Sequence, residues 1–466
     1  MKIRNLVGDR SFYRMVSKLA TPILIQTGIV NLVSLLNTVM VGQLGTEKMS
    51  GVAIANQLLN VSNVCVAGAI SGIGIFTAQY YGKRDDEGLR QTFRFKLASS
   101  LLLTVLSVAV FLLFGPSLIG TFVHSGDAAQ TLASAWDYLK VMMIGLIPYA
   151  LSLSYSTTLR ETHSTVLPMI GSSVAIVTNL VLNYALIFGR LGCPALGASG
   201  AAVATVASRF AELLILIIGA HAKSARNTFL RGAYRADPIP ILLLKEMTVR
   251  SAPLLLNETI YSASYAVVVQ SLSLRGIAAV AAYSIAANVT QLFFIVLMSV
   301  GVSLGILVGN QLGAGCFDEA RVTNARLTAL AIAVCVATGL VLLPVSVWFP
   351  RLFNTTEEVR QITGSLIRVV AYMLPIRGFT HAAYYTLRAG GKTIHTLFYD
   401  GGYVTLICLP ITFILAHYTN LPIVPLYAVC LALELSKSII GFYWVKKGIW
   451  VRCVVPQSPA STENPC

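Results

Sequence analysis

TPILIQTGIVNLVSLLNTVMVGQLG, residues 21–45, decides the fold once it is laid over APLLLNETIYSASYAVVVQSLSLRG, residues 252–276. Both are apolar runs with a proline in second place and a glycine at the end. At an offset of 231 residues, Pro22 meets Pro253, Leu24 meets Leu255 and Gly45 meets Gly276. The match runs on without a gap. Ile54 and Ala55 meet Ile285 and Ala286, Gly74 meets Gly305, Gly82 meets Gly313 and Arg90 meets Arg321. Farther along the offset becomes 228, so that Thr158-Leu159-Arg160 meets Thr386-Leu387-Arg388, Thr165 meets Thr393 and Arg209 meets Lys437. An apolar composition scatters Leu and Ala matches, but it does not place Pro, Gly and Arg at one offset. The chain is internally duplicated.

The duplicated material belongs in a membrane. The chain has 466 residues, 56% hydrophobic and 11% charged, with mean hydropathy +0.74. Soluble domains carry about 25% charged residues. Apolar stretches long enough to cross a bilayer as helices recur at 15–42, 47–81, 92–115, 131–159, 165–189, 198–220, 247–273, 277–312, 323–347, 359–387, 393–416 and 422–445. The expected fold is an all-α integral membrane protein with twelve transmembrane helices in two pseudo-symmetric six-helix bundles. Six is even, so both halves start on the same side and are parallel repeats about an axis along the membrane normal. The expected divisions are an N-terminal lobe at 1–220, a basic linker at 221–245, a C-terminal lobe at 246–447 and a polar, disordered tail at 448–466. The spans at 47–81 and 277–312 are too long for one straight crossing, so their polar ends should leave the membrane. Pro22, Pro148, Pro253, Pro375 and Pro410 fall inside spans, where proline removes a backbone donor and bends a helix.

The net charge of +15 is a topology signal. The termini and even-numbered connections carry 24 Lys and Arg residues against five on the odd-numbered side. The positive-inside rule then puts both termini in the cytoplasm. The same excess can touch anionic lipid, and with no soluble domain it does not point to nucleic acid. The eight cysteines are scattered without metal-ligand spacing and read as small apolar helix residues. The long basic lead without a small-residue cleavage site leads us to expect the first apolar segment to remain as a span, not to be cleaved as a leader.

Further motifs carry a family resemblance. They include NTVMVGQLG at 37–45, GNQLGAG at 309–315, NLVLNYALIFG at 179–189, LGASGAAVATVASR at 196–209, PLLLNE at 253–258 and LRAGGKT at 387–393. In this order, over about residues 10–450, the chain resembles the multidrug and toxic compound extrusion (MATE) family. The resemblance implies an inner-membrane antiporter that exchanges sodium ions or protons for organic, often cationic and amphipathic, compounds. It also implies a cation-binding aspartate in the first helix. Here that position is Asn37, an amide that neither titrates usefully nor offers a charge.

Ionisable groups inside spans are functional candidates by default, because burying them costs about 2.5–3.5 kcal/mol. Glu258 has no basic residue within four positions and is the first candidate for coupling or for holding a substrate cation; a sodium ion there is the one metal expected. Asp400 is its candidate helper. Glu212 and Glu434 stand three residues from Arg209 and Lys437, the spacing of intrahelical ion pairs. Asn37, Asn179, Asn183 and Asn257 complete the polar set for cation or substrate. Gln26, Tyr261, Tyr265, Gln270, Asn288, Phe293 and Met298 are candidates to line a substrate cleft, where aromatic faces and adaptable sulfur suit varied guests. Arg377, in mid-span, would repel cations unless paired, with Asp400 or Glu258 as its expected partner.

No catalytic residue is expected. The six histidines are dispersed, which argues against a membrane-embedded enzyme, and the segment at 386–393 lacks the first glycine of a phosphate loop. Without an ATPase domain, transport draws on an ion gradient worth about 2.3 kcal/mol per charge at 100 mV. The expected protein is therefore a secondary exporter working by alternating access. It needs no cofactor beyond a sodium ion or proton, takes small organic substrates, contacts membrane lipids and acts as a monomer. A flippase for lipid-linked precursors is the alternative on the same fold and would require a strongly cationic cleft. A channel fits duplicated, proline-bent halves poorly.

Overall fold

A computed structural model describes residues 7–42, 46–121, 128–225, 227–235, 238–353 and 355–456. Gly45 and the last ten residues of the expected tail lie outside them. Among the described residues the regular structure is helical. The first half holds α1 (Arg10–Gly42), α2 (Thr46–Lys83), α3 (Asp86–Gly120), α4 in two segments (Ala128–Ile144 and Leu146–Glu161), α5 (Val166–Phe188) and α6 (Gly197–Ala222). The second holds α7 (Ile241–Ser273), α8 (Ile277–Gly313), α9 (Phe317–Trp348), α10 (Glu357–Ala389), α11 (Thr393–Tyr418) and α12 (Ile423–Lys447).

Ten of these helices are long and apolar enough to span a membrane, and the broken α4 makes eleven. The twelfth, α7, has 33 residues, but Asn257, Glu258 and several serines lower its hydropathy. The chain is a multi-pass membrane protein of twelve helices in two repeats. α2 and α8, of 38 and 37 residues, are each continuous. At about 1.5 Å per residue they reach roughly 55 Å, well beyond a hydrocarbon core of about 30 Å, so their ends project from it.

The helix ends follow local chemistry. Asp85 caps α3 by accepting from the Gly88 N–H, and Thr356 caps α10 by accepting from Val359. Gly189 and Gly448 end α5 and α12 in the left-handed conformation that glycine adopts without strain. The prolines act unequally. α4 bends by 45° between Ile144 and Leu146. Pro148 lacks the N–H that would pair with the carbonyl four residues back, that of Ile144, and its ring crowds that group. Pro22, Pro253 and Pro375 lie inside continuous helices.

The chain divides into two compact units. Unit 1 comprises residues 1–24, 78–84 and 252–466, and unit 2 comprises 25–77 and 85–251. In unit 1, the start of α1 (Phe12, Val16, Leu19, Ile23) joins a core with α8, α9 and α10, including Leu304, Leu327 and Leu366. In unit 2, Val52, Leu59, Leu139, Met142 and Ala202 form the largest core.

Two glycines report the duplication directly. A Cβ on Gly82 would lie 1.8 Å from the Asn310 carbonyl oxygen, and one on Gly313 would lie 1.9 Å from that of Gln79. Gly82 and Gln79 are the counterparts of Gly313 and Asn310 at the offset of 231. Within unit 1, the end of α2 and the end of α8 therefore cross reciprocally, each presenting a glycine to the other's backbone.

The stretch expected as a disordered tail is packed through residue 456. Trp450 and Val455 are buried, and Gln79 Oε1 accepts from the Val454 N–H at 2.6 Å. The linker is docked as well. Phe229 is fully buried against Phe93, and the Arg94 guanidinium donates to the carbonyls of Gly232 (2.6 Å) and Ala233 (2.9 Å).

Candidate functional site

In unit 1, α7, α8, α10, α11 and α12 line a partly open cavity of about 190 Å³. α7 supplies Glu258 and Tyr261, one turn apart on one face. α8 supplies Phe294 and Met298, four residues apart and again on one face. Arg377, His381, Tyr384 and Arg388 recur along α10 at intervals of three and four residues and so form a single stripe. Asp400 comes from α11, and Glu434 and Lys437 come from α12.

The acids are tied to neighbours. Tyr384 donates its hydroxyl to Glu258 Oε1 at 3.1 Å. Lys437, almost fully buried, reaches Asp400 Oδ1 at 2.8 Å and Glu434 Oε2 at 4.0 Å. Asn257, fully buried, organises the centre. Its Nδ2 donates to Asp400 Oδ2 at 3.3 Å and, more weakly, to the Tyr384 hydroxyl at 3.5 Å. Its Oδ1 accepts from the Gly401 N–H at 2.8 Å. Gly401 lies in a π-helical turn, Phe398–Gly402. Such a turn interrupts the regular backbone ladder and is frequent at functional sites.

The same construction exists in unit 2. Gln26 Nε2 donates to Ser172 Oγ at 2.8 Å and reaches Ser156 Oγ at 3.5 Å. By the two offsets, Gln26, Ser156 and Ser172 are the counterparts of Asn257, Tyr384 and Asp400. An amide on the first helix of each repeat thus ties together the fourth and fifth. The second repeat carries a carboxylate and a phenol where the first carries two serines. Ser172 also donates to Glu212 at 2.6 Å.

A second amide cluster lies farther along unit 2. Asn183 Nδ2 donates to Asn37 Oδ1 at 2.6 Å and to Asn179 Oδ1 at 3.0 Å, and Asn179 Nδ2 donates to Thr205 Oγ1 at 3.3 Å. Asn183 Oδ1 is buried and has no hydrogen-bond partner among the described residues. The cluster is neutral. Unit 2 also contains a buried ion pair, Lys96 to Glu161 at 2.5 Å, against Gly74.

The structure brings Glu258, Asp400 and Asn257 together, and Asn37, Asn179 and Asn183 into a separate group. Of the residues expected to line a cleft, Tyr261 and Met298 line the cavity, and Tyr265 stacks on Tyr261 with ring centroids 6.1 Å apart. Phe293 does not line it. It packs on the core of unit 1, and its neighbour Phe294 takes the cavity face, because successive helical residues turn by about 100°. Gln270 and Asn288 are exposed and lie off the cavity, and Gln26 belongs to the serine network of unit 2. Arg209 and Glu212 face different partners: Arg209 donates to the Gly145 carbonyl and lies over Tyr149, whereas Glu212 accepts from Ser172. Arg377 has neither expected carboxylate. Its guanidinium lies 5.3 Å above the Phe294 ring. Tyr384, His381 and Arg388 were not among the candidates, although their spacing on α10 would have put them on one face with Arg377.

The MatE family model matches the chain twice, at residues 22–185 and 253–418. The two starts are separated by the offset of the internal repeat. A probable multidrug resistance protein NorM of Thermotoga maritima is 24% identical over 446 residues, covering 94% of this chain and 93% of its own. The multidrug resistance protein MdtK of Pectobacterium atrosepticum is 26% identical over 368 residues, covering 77% and 78%. A solved outward-facing multidrug resistance MATE family transporter of the MOP superfamily superposes with a TM-score of 0.85 at 20% identity, over 96% of this chain and 97% of that one. A MOP superfamily transporter from Pyrococcus furiosus, described as having a binding pocket of reverse polarity, superposes with a TM-score of 0.84 at 20% identity over the same shares.

Proposed function

The chain belongs to the MatE family of multidrug efflux transporters, and we propose that it exports small amphipathic organic compounds in exchange for a sodium ion or proton handled at Glu258. The observation that carries this is the cavity of unit 1. It places a half-buried carboxylate, Glu258, beside a phenol donor and within reach of an organised acid–amide–lysine group. A carboxylate there can hold the coupling cation or a cationic substrate group, and competition between the two links their movements. Asp400 is its helper through Asn257, which contacts Asp400 on one side and Tyr384 on the other. Asn37 offers an oxygen without charge, and that oxygen already accepts from Asn183, so coupling is assigned to the second repeat.

A flippase would need a cavity dominated by cations. This one has three acids against three bases, which favours the exporter. The protein acts as a monomer in the inner membrane, with both termini in the cytoplasm. Reporter fusions at the two ends check the orientation, and an external reporter at either end would overturn it. The functional test is efflux from cells lacking other pumps, comparing wild type with Glu258→Gln. Loss of ion-dependent efflux is expected. Normal ion-dependent efflux by the variant would remove Glu258 from the mechanism.

A further inference from the structure

Charges in the cavity are not equally satisfied. Lys437 has Asp400 at 2.8 Å and Glu434 at 4.0 Å. The base that acts on Glu258 is Arg388, which lines the same cavity. Arg377 is different. Among the described residues no carboxylate comes within ion-pair distance of its guanidinium, and the described neighbour is the face of Phe294. The carboxylate that acts on it most strongly, Glu434, does so without a direct contact; its Oε2 lies 4.0 Å from Lys437 and has no hydrogen-bond partner among the described residues. A guanidinium presents five N–H donors in a planar fork that matches a carboxylate bidentately, and such pairs are strongest where water is scarce. Arg377 therefore has a site open for an anionic group on a guest.

The opposite requirement comes from Glu258, a carboxylate held by neutral donors, the Tyr384 hydroxyl at 3.1 Å and the Asn257 side chain. Three acids and three bases line the cavity, so it presents both signs of charge to a guest. A guest carrying both signs would find an unpaired partner for its anion and a carboxylate for its amine. Tyr261, Phe294 and Tyr385 supply aromatic faces for the body between them.

We propose that the cavity selects amphoteric aromatic compounds, with Arg377 pairing the guest's carboxylate while its amine faces Glu258. This rests on the export reading above and narrows its substrate class.

The test uses two dyes that differ only at the carboxyl: rhodamine 110, with a free carboxylate, and rhodamine 123, its methyl ester. Binding to the purified full chain is measured by fluorescence polarisation, and the ratio of ester Kd to acid Kd is the readout. Wild type should prefer the acid about tenfold. Arg377→Gln should bring the ratio to about one. Arg377→Lys, which keeps the charge and loses the fork, should give an intermediate ratio, and it decides the matter if Arg377→Gln binds neither dye. A wild-type protein that binds the ester as well as the acid, or neither dye, overturns the proposal. So does Arg377→Lys or Arg377→Gln with the wild-type ratio. Efflux of the two dyes from cells lacking other pumps is scored separately. Discrimination in binding without efflux of either dye would sink the export reading and leave the site chemistry standing. Efflux of both dyes without discrimination in binding would do the reverse.

Discussion

At the scale of single residues, the span-embedded acids could be picked out of the sequence, but their partners could not. Glu258 and Asp400 stand out because charge is rare in an apolar helix. What surrounds them comes from other helices 37 to 143 positions away, and no local spacing announces that. Two basic residues that look like loop charges show the same limit. Lys96 is fully buried and paired with Glu161, and Arg388 lines the cavity. Near a span end, helical phase decides between loop and interior, and charge counting ignores phase. Asn37 is the informative case. The family resemblance makes it a carboxylate position without its charge, and the structure gives it one short bond from Asn183. If coupling resides at Glu258, Asn37→Ala removes an interhelical hydrogen bond worth about 0.6 kcal/mol on average in membranes. Thermal unfolding should fall slightly, and the ion dependence and pH profile of efflux should match wild type. A changed ion dependence would place a coupling site in the amide cluster.

At the scale of elements, the helices and their ends were legible because apolar length and Gly, Pro and Asp punctuation are local signals. Every expected span corresponds to a helix or, for α4, to a broken one. Which proline bends its helix was not legible. The break at Gly145 combines Pro148 with a glycine that leaves room for Val206, whose Cγ2 would lie 2.9 Å from an added Cβ. The glycine pair Gly82 and Gly313 was visible as a repeat match, but its purpose needs the crossing of α2 and α8. An added Cβ at Gly313 would sit 1.9 Å from a backbone oxygen and 2.5 Å from two backbone carbons of Gln79, none of which can swing aside. Gly313→Val is expected to destabilise the protein by about 3 kcal/mol or more, measured as a loss of monodisperse, thermally stable protein in detergent. Gly120→Ala is the control, because its Cβ meets nothing within 4 Å. It should stay within about 1 kcal/mol of wild type. A Gly313→Val protein as stable as that control would refute the close crossing.

For the whole molecule, duplication is the organising fact. The offsets that align the halves also align Gln26 with Asn257, Ser156 with Tyr384 and Ser172 with Asp400, and each trio is hydrogen-bonded in the same pattern. One inherited polar framework has become two different sites. The first repeat carries serines and a neutral amide cluster, whereas the second carries the acid and the phenol at the matching positions. This asymmetry is the physical basis for assigning the coupling ion to the second repeat. The most direct check is transport by the purified chain in proteoliposomes under one imposed gradient at a time, sodium alone and then protons alone. Wild type should move an organic substrate uphill with one of the two gradients, and Glu258→Gln should lose that response. A Glu258→Gln protein that follows the same gradient as strongly as wild type would contradict the central claim.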